Sequence, residues 1–262
     1  MHLDTFYSFL RLSFKDLSVF RSDFFISIIH LIIYQGIFIL FWDALLGKIG
    51  VDLGAWDQGS LSLLVLTGLI FSSIRLLFYG FTTMSEKVVT GTIDKYLCRP
   101  ISPIWALLAE DTKIWASFHS LFTCLLLFIA LDLNYHFVFS VKNAFYFMFS
   151  VVLGSLTLVL FEGVVSLSSF WFGRTDKIFY LVNSFADFQR YPISLFPSFI
   201  QHLLMWVIPI ALVSSIPVMF LFGKFESPEI LLLAQTILML TWFFLFIYLW
   251  KKALKNYDSV GG

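Results

Sequence analysis

The sequence is short of charge. Only 13% of its 262 residues are Asp, Glu, Lys or Arg, and 59% are hydrophobic, whereas a soluble domain carries about 25% charged residues. Seventeen basic and seventeen acidic side chains are too few to coat a soluble protein of this length, which excludes a soluble globular enzyme. The two signs cancel, so no basic excess exists to neutralise phosphates and no nucleic-acid partner is expected. Cysteine is nearly missing: Cys98 in a charged loop and Cys124 in an apolar run set no disulfide framework, and two free thiols are expected. The phosphate-binding pattern G-x-x-x-x-G-K-[ST] does not occur. Gly47-Lys48 and Gly223-Lys224 are the only Gly-Lys pairs, and neither precedes Ser or Thr, so ATP is not bound by that route. The five histidines show no metal-ligand spacing, and Ser, His and Asp form no nucleophilic constellation. No cleavable leader is expected, because the first apolar run begins at Phe24 and is too long for one. Repeats and long polar linkers are missing too, so residues 1–262 read as one transmembrane domain.

What is abundant is apolar sequence in long runs. Charge-free stretches at 24–42, 114–131 and 230–250 each suffice to cross about 30 Å of hydrocarbon as a helix. Two more runs, 60–83 and 144–172, carry one ionisable residue each, Arg75 and Glu162. A sixth uncharged run, 191–223, contains Pro192, Pro197, Pro209 and Pro217, which bend or break helices. It is read as an interfacial lead-in and one span near 202–220, with a broken or re-entrant turn near Pro217. The expected fold is an all-α membrane protein of six spans, at about 24–45, 60–83, 114–132, 144–172, 202–220 and 230–250.

Lys and Arg orient these spans. With an even count, thirteen of the seventeen cations, Arg190 among them, fall on the side of the two termini and three on the other. Both termini are therefore expected in the cytoplasm, in a cell membrane. Residues 1–21 form a separate element: Leu3, Phe6, Leu10, Phe14 and Leu17 recur at steps of three and four opposite Asp4, Ser8, Arg11 and Lys15. Such a helix lies at the headgroup boundary. Trp42, Trp56, Trp105, Trp171 and Trp250 fall near span ends, as an interfacial belt predicts.

The cytoplasmic loop 84–113 holds the most informative stretch, Ser85-Glu86-Lys87-Val88-Val89-Thr90-Gly91-Thr92-Ile93-Asp94-Lys95-Tyr96-Leu97-Cys98-Arg99-Pro100-Ile101-Ser102-Pro103. Gly91 permits a sharp change of direction. Ile93, Tyr96 and Leu97 share one apolar edge of a short helix, which is expected to dock into a groove on a soluble partner. This stretch resembles the loop between the second and third spans of ABC-2 type transporter permeases, above all their six-span subfamily. Gly91, Thr92, Ile93, Asp94, Leu97, Arg99, Pro100, Ile101 and Ser102 carry the likeness. Phe188-Gln189-Arg190-Tyr191-Pro192-Ile193 with Ile208-Pro209 and Pro217, and the tail Tyr257-Asp258-Ser259-Val260-Gly261, extend it along the chain. Cys98 departs from the pattern, where an apolar residue would stand.

The resemblance implies an ABC-2 exporter-type fold whose loop helix is a coupling helix. It implies a separate ATP-binding subunit, two copies per complex, which holds the ATP and Mg; this chain is then neither an enzyme nor a cofactor carrier. It also implies a second permease, the same chain or a related one. Glu86, Lys87, Gly91, Thr92, Asp94, Arg99 and Pro100 are the expected ATPase-coupling residues. Export of a hydrophobic or amphipathic drug, lipid or peptide follows from the same likeness. The alternative is a secondary transporter driven by an ion gradient; an intramembrane enzyme would need paired catalytic groups at one depth.

Arg75 and Glu162 are costly in lipid and should face a bundle interior. Counted from the inner ends of their spans, their depths differ by roughly 3 Å at 1.5 Å per residue, so an intramembrane ion pair is expected. It either fixes the packing of two spans or lines the path. Asp43 and Asp132 are read as interfacial carboxylates. His30, Gln35 and His119 are read as hydrogen-bonding groups between spans.

Overall fold

The computed structural model describes residues 21–257, apart from 49–52, 55, 101 and 174. The amphipathic helix expected over 1–21 and the tail after Tyr257 lie outside the described residues. Every regular element among those described is helical. Five helices are long and apolar enough to cross a membrane.

The first, α1, is Arg21–Asp43 and ends in a π-turn, Ala44–Lys48. It is apolar all round, and Phe25, Ile29, Ile33, Ile37 and Leu40 stand exposed, a surface that only lipid or another chain can solvate. Next come α2, Gln58–Leu77, α3, Gly80–Val89, α4, Asp94–Leu97, and α5, Pro103–Asp111. Asp57 starts α2 with a capping box: Ser60 N donates to its carboxylate at 2.8 Å, and Asp57 N donates to Ser60 Oγ at 2.9 Å. The long α6, Ile114–Tyr135, and α7, Val141–Leu167, follow, and α7 continues into α8, Ser169–Phe172.

The centre of the bundle is α2 and α7, while α1 and α6 lie at its edge. Apolar burial by itself does not sort helices in lipid, because hydrocarbon tails are as apolar as leucine. Small residues do. Ser62, Thr67, Gly68 and Ser73 on α2, and Ser150, Gly154, Ser155, Thr157, Gly163 and Ser166 on α7, are all buried. They let backbones approach, and several hydroxyls donate to their own helix, as Ser62 Oγ does to Gln58 O and Thr157 Oγ1 to Leu153 O.

The chain then departs from the sequence reading. Instead of staying outside the bundle up to Arg190, α9, Asp176–Ala186, climbs into it and ends in a 3-10 turn, Asp187–Arg190. The Gln189 side chain lies 3.5 Å from where a Cβ on Gly68 would stand, and Gly68 is at the middle of α2. The Arg190 guanidinium lies 4.5 Å from the ring of Tyr34 and 4.7 Å from that of Phe38, both near the middle of the apolar helix Phe24–Gly47. Two independent spans thus place residues 189–190 at mid-height. Arg190 drops out of the flanking count, which leaves twelve cations on the side of the termini. Its charge is tolerated inside because two aromatic faces and Asp187 Oδ1, 3.0 Å from Nη1, replace water.

From there the chain descends through α10, Ser198–His202, and a π-turn, Leu203–Val207, before α11, Ser215–Leu221. The span expected at 202–220 is therefore not one helix, and the break falls at Pro209 rather than Pro217. Pro209 has no N–H to give and crowds the preceding turn, whereas Pro217 sits in the first turn of α11, where no intrahelical donor is needed. The irregular backbone of 209–214 is buried in protein throughout, the condition under which non-helical chain survives at membrane depth. Asn143 Nδ2 donates to Leu221 O at 3.4 Å, which joins the end of α11 to the beginning of α7. The last helix, α12, Pro228–Lys255, packs along α7.

Candidate functional site

Two features define the candidate site: the elbow built from α3, α4 and α5, and the ion pair above it. The elbow is a closed hairpin. Lys113 N donates to Leu76 O at 3.0 Å and Thr112 Oγ1 to Leu77 O at 3.1 Å, so the chain returns to the residues of α2 from which it left. Gly80 lets α3 lie against α5; a Cβ there would stand 3.0 Å from Leu107 O and Leu108 Cα. At the tip Gly91 adopts a φ of 71°, a left-handed conformation that other residues adopt at a cost. Ile93 N then donates back to Lys87 O at 3.0 Å, which folds the tip onto itself.

The apolar edge of the tip points inward. Ile93 and Tyr96 are fully buried in the core shared by α3, α5, α7 and α12. They hold the elbow to its own bundle, which corrects the expectation that they fill a groove on a partner. Lys87 Nζ donates to Tyr96 Oη at 2.7 Å and pairs with the Asp111 carboxylate, which also accepts from Thr83 Oγ1. Lys95 pairs with Glu110, and the cations of Lys87, Lys95 and Arg99 lie 4.8–6.0 Å from the centre of the Tyr96 ring. Tyr96 is thus the post around which the elbow's charges are arranged.

The residues singled out from sequence divide into three groups. Glu86, Thr92, Arg99 and Pro100 are exposed on the outer surface of the tip. Lys87 is turned inward as an internal tie, and Gly91 makes the reversal. Asp94 is half-buried next to Tyr257, which packs edge-on against Phe170 with ring centres 5.5 Å apart. Sequence reasoning passed over Asp111, Tyr96 and Tyr257 as site residues. Of these, only Tyr96 left a signal, an aromatic flanked by Lys95 and Arg99 in a short charged loop.

Burial, and after it the Asp94 carboxylate, push the Tyr257 hydroxyl up to about 12. The hydrogen bond to Glu110 likewise raises the Lys95 ammonium above its ordinary value, against a smaller effect of burial. Both groups hold their proton more tightly in the folded elbow than in an unfolded chain. Their contribution to stability is therefore complete below about pH 10 and is lost as the pH rises through the shifted values. Proteolysis of the elbow by an alkali-tolerant protease should accelerate between pH 10 and 12. Tyr257→Phe should flatten that rise; an unchanged profile would show that Tyr257 does not latch the elbow.

Above the elbow, Arg75 Nε donates to Glu162 Oε2 at 2.9 Å and lies 2.8 Å from Oε1. The structure brings these two residues together between α2 and α7. Glu162 is 1% exposed, while the Arg75 side chain keeps 26% of its surface and opens to one side of the bundle. His119 and Gln35 are buried, and neither His119 Nε2 nor Gln35 Oε1 has a hydrogen-bond partner among the described residues. His119 instead meets the rings of Phe24 and Trp115 edge-on, at 4.7 and 5.3 Å. Of the five expected belt residues, Trp42, Trp56 and Trp250 are buried and pack the bundle, and Trp105 and Trp171 are exposed. The Trp42 indole N–H donates to Arg190 O at 3.2 Å.

These features define a multi-pass helical membrane protein with a braced loop at one end of its two central helices and no metal-binding cluster among the described residues. A family model described as "ABC-2 family transporter protein" matches residues 31–261. The chain belongs to that family. It is a permease subunit of an ABC transporter, a transport component that works with an ATP-binding subunit and is not itself the catalyst. No curated protein and no solved structure matches it significantly.

Proposed function

We propose that the chain is one member of a paired exporter permease, and that the elbow is the surface on which the ATP-binding subunit pushes. One observation carries this reading: the elbow is braced shut against α2 at Leu76 and Leu77, so a displaced tip takes α2 with it. At the very next residue into the bundle, Arg75 ties α2 to α7. A push at Glu86, Thr92, Arg99 and Pro100 would therefore reach both central helices as a rigid-body movement, the kind of bistable repacking that nucleotide binding in a partner can bias. Gly91, Lys87 and Asp94 keep the tip in shape and act through those four.

In this reading the chain crosses the cell membrane six times, with the broken passage from α9 to α11 as the fifth crossing, and both termini face the cytoplasm. The excess of cations on that side supports the orientation. Two ATP-binding subunits serve two permeases, of the same chain or a related one, and the cargo is hydrophobic or amphipathic.

Arg99→Glu together with Glu86→Lys tests the proposal. These side chains are exposed, so the chain should fold as before. Recovery of the ATP-binding subunit after gentle detergent extraction should fall about tenfold or more, as expected for lost charge-assisted contacts, and transport should fall with it. Full recovery and full transport would refute the elbow as the docking surface. Transport that ignores ATP depletion and collapses with an ionophore would favour the ion-gradient alternative.

A further inference from the structure

Thr175 holds the N-cap position of α9, yet its side chain makes no cap hydrogen bond. A threonine there ordinarily accepts from an N–H of the first turn. Its hydroxyl is committed to the elbow instead: Thr175 Oγ1 and Ser85 Oγ are 2.6 Å apart, and both residues are buried. Ser85 stands on α3 directly before Glu86, one of the exposed residues of the tip. The Ser85 N–H also donates to Ser166 Oγ of α7 at 2.9 Å. A helix that forgoes its own cap for a contact with α3 has its foot set by the elbow.

The other end of α9 grips α1. Eleven residues of α-helix and four of 3-10 helix make a rod of about 24 Å, at 1.5 and 2.0 Å per residue. At its head Gln189 lies against Gly68, the Trp42 indole N–H donates to Arg190 O, and the Arg190 guanidinium faces the rings of Tyr34 and Phe38. Tyr34 and Trp42 are about two turns apart, so the head holds α1 along its length rather than at one point. Elsewhere α1 packs on α2 and α6, with Leu31, Ile39 and Leu45 in the shared core. Apolar contacts of that kind have no preferred direction, whereas the hydrogen bond and the cation–ring contacts at Arg190 do. Between foot and head, Ile178 and Leu181 are exposed.

We propose that α9 is a connecting rod: a displaced elbow moves Thr175 through Ser85, and the rod carries that movement to α1 at Arg190. Ser85 and Thr175 are positioning residues for transport and act through α9. The brace at Leu76 and Leu77 reaches the central helices, and the rod adds the edge helix α1, so one push repacks both. The inference rests on the reading of the elbow as the surface that the ATP-binding subunit pushes.

The test follows α1 in the full complex with the ATP-binding subunit, in nanodiscs. Nitroxides on Ile33→Cys and Phe244→Cys, at exposed positions of α1 and α12, report the distance across the bundle by double electron–electron resonance. The chain is labelled on a Cys98→Ala, Cys124→Ala background before assembly and diluted with unlabelled chain. A non-hydrolysable ATP analogue with Mg should shift that distance. Ile178→Gly with Leu181→Gly softens the rod between its anchors and should remove most of the shift. Ile178→Ala with Leu181→Ala trims the same apolar surface from a stiff helix and should keep it. Ser85→Ala with Thr175→Val should remove most of the shift as well and covers the case in which the glycine pair does not fold, whereas Thr175→Ser should keep it. Recovery of the ATP-binding subunit should be unchanged in all these variants. Docking at the elbow is read separately, from that recovery with Arg99→Glu and Glu86→Lys, so failure of the docking surface and failure of the rod are distinct results. No shift in the parent complex, a full shift in the glycine pair or in the hydroxyl-free pair, or equal loss in the glycine and alanine pairs would overturn the proposal.

Discussion

Glu162→Leu is expected to cost about 3–5 kcal/mol, the usual penalty for removing one partner of a buried ion pair. The loss is large because the Arg75 guanidinium keeps its charge and has only a quarter of its surface open to whatever surrounds the bundle. Thermal unfolding of the chain in nanodiscs measures it, alongside the monodisperse fraction after extraction. The informative comparison is the double replacement Arg75→Met with Glu162→Leu, which removes both charges and keeps the volume. It should recover most of the lost stability, since apolar residues in place of a complete buried pair are commonly neutral or better. Exchange of the two charges should also rescue either single reversal. A double mutant as unstable as Glu162→Leu would mean that the two side chains do not depend on each other. If the apolar double mutant is stable yet transport is lost, the pair serves movement or passage rather than folding.

The second large effect is expected at Gly154. A methyl group there would overlap Leu212 O and stand 2.5 Å from Leu212 C. Those are backbone atoms of the buried segment 209–214, which has no side-chain rotamer to yield. Gly154→Ala should therefore cost about 3 kcal/mol, the upper end for overpacking, and Gly154→Val should prevent stable extraction. Gly68→Ala is the matched control. Its new Cβ would meet only the side chain of Gln189, at 3.5 Å, an ordinary contact, and little change is expected. Equal effects at the two glycines would argue against a close approach of α7 to the broken segment.

The long elements were legible because lipid is a simple solvent. A run such as 230–250 must satisfy its backbone internally, and a helix is the one way a single segment does so. Arg75 and Glu162 were legible for a related reason: two opposite charges at similar depth in otherwise apolar runs have a strong incentive to meet. The path after α8 was not legible. The stretch 173–190 carries Arg174, Asp176, Lys177, Asp187 and Arg190, and that charge density reads as a loop in water. Its deeper charges are instead satisfied by groups distant in sequence, the rings of Tyr34 and Phe38, which no local pattern announces. The tip of the elbow misled in the opposite sense. An apolar edge of Ile93 and Tyr96 looks the same whether a partner or the chain's own core receives it.

By itself, then, the sequence determined the solvent, the helical class, the long apolar helices and the residues of the loop that resembles ABC-2 permeases. Each of these depends on composition, or on spacing within a few turns of helix. Tertiary structure decided which side of that loop is free, where the proline-rich run breaks, and that Arg190 lies inside the bundle beside an exposed carboxylate. Those outcomes turn on contacts between residues more than a hundred positions apart, such as Trp42 with Arg190. In a bundle where apolar burial is nearly neutral, the few polar contacts and close glycine approaches choose the arrangement.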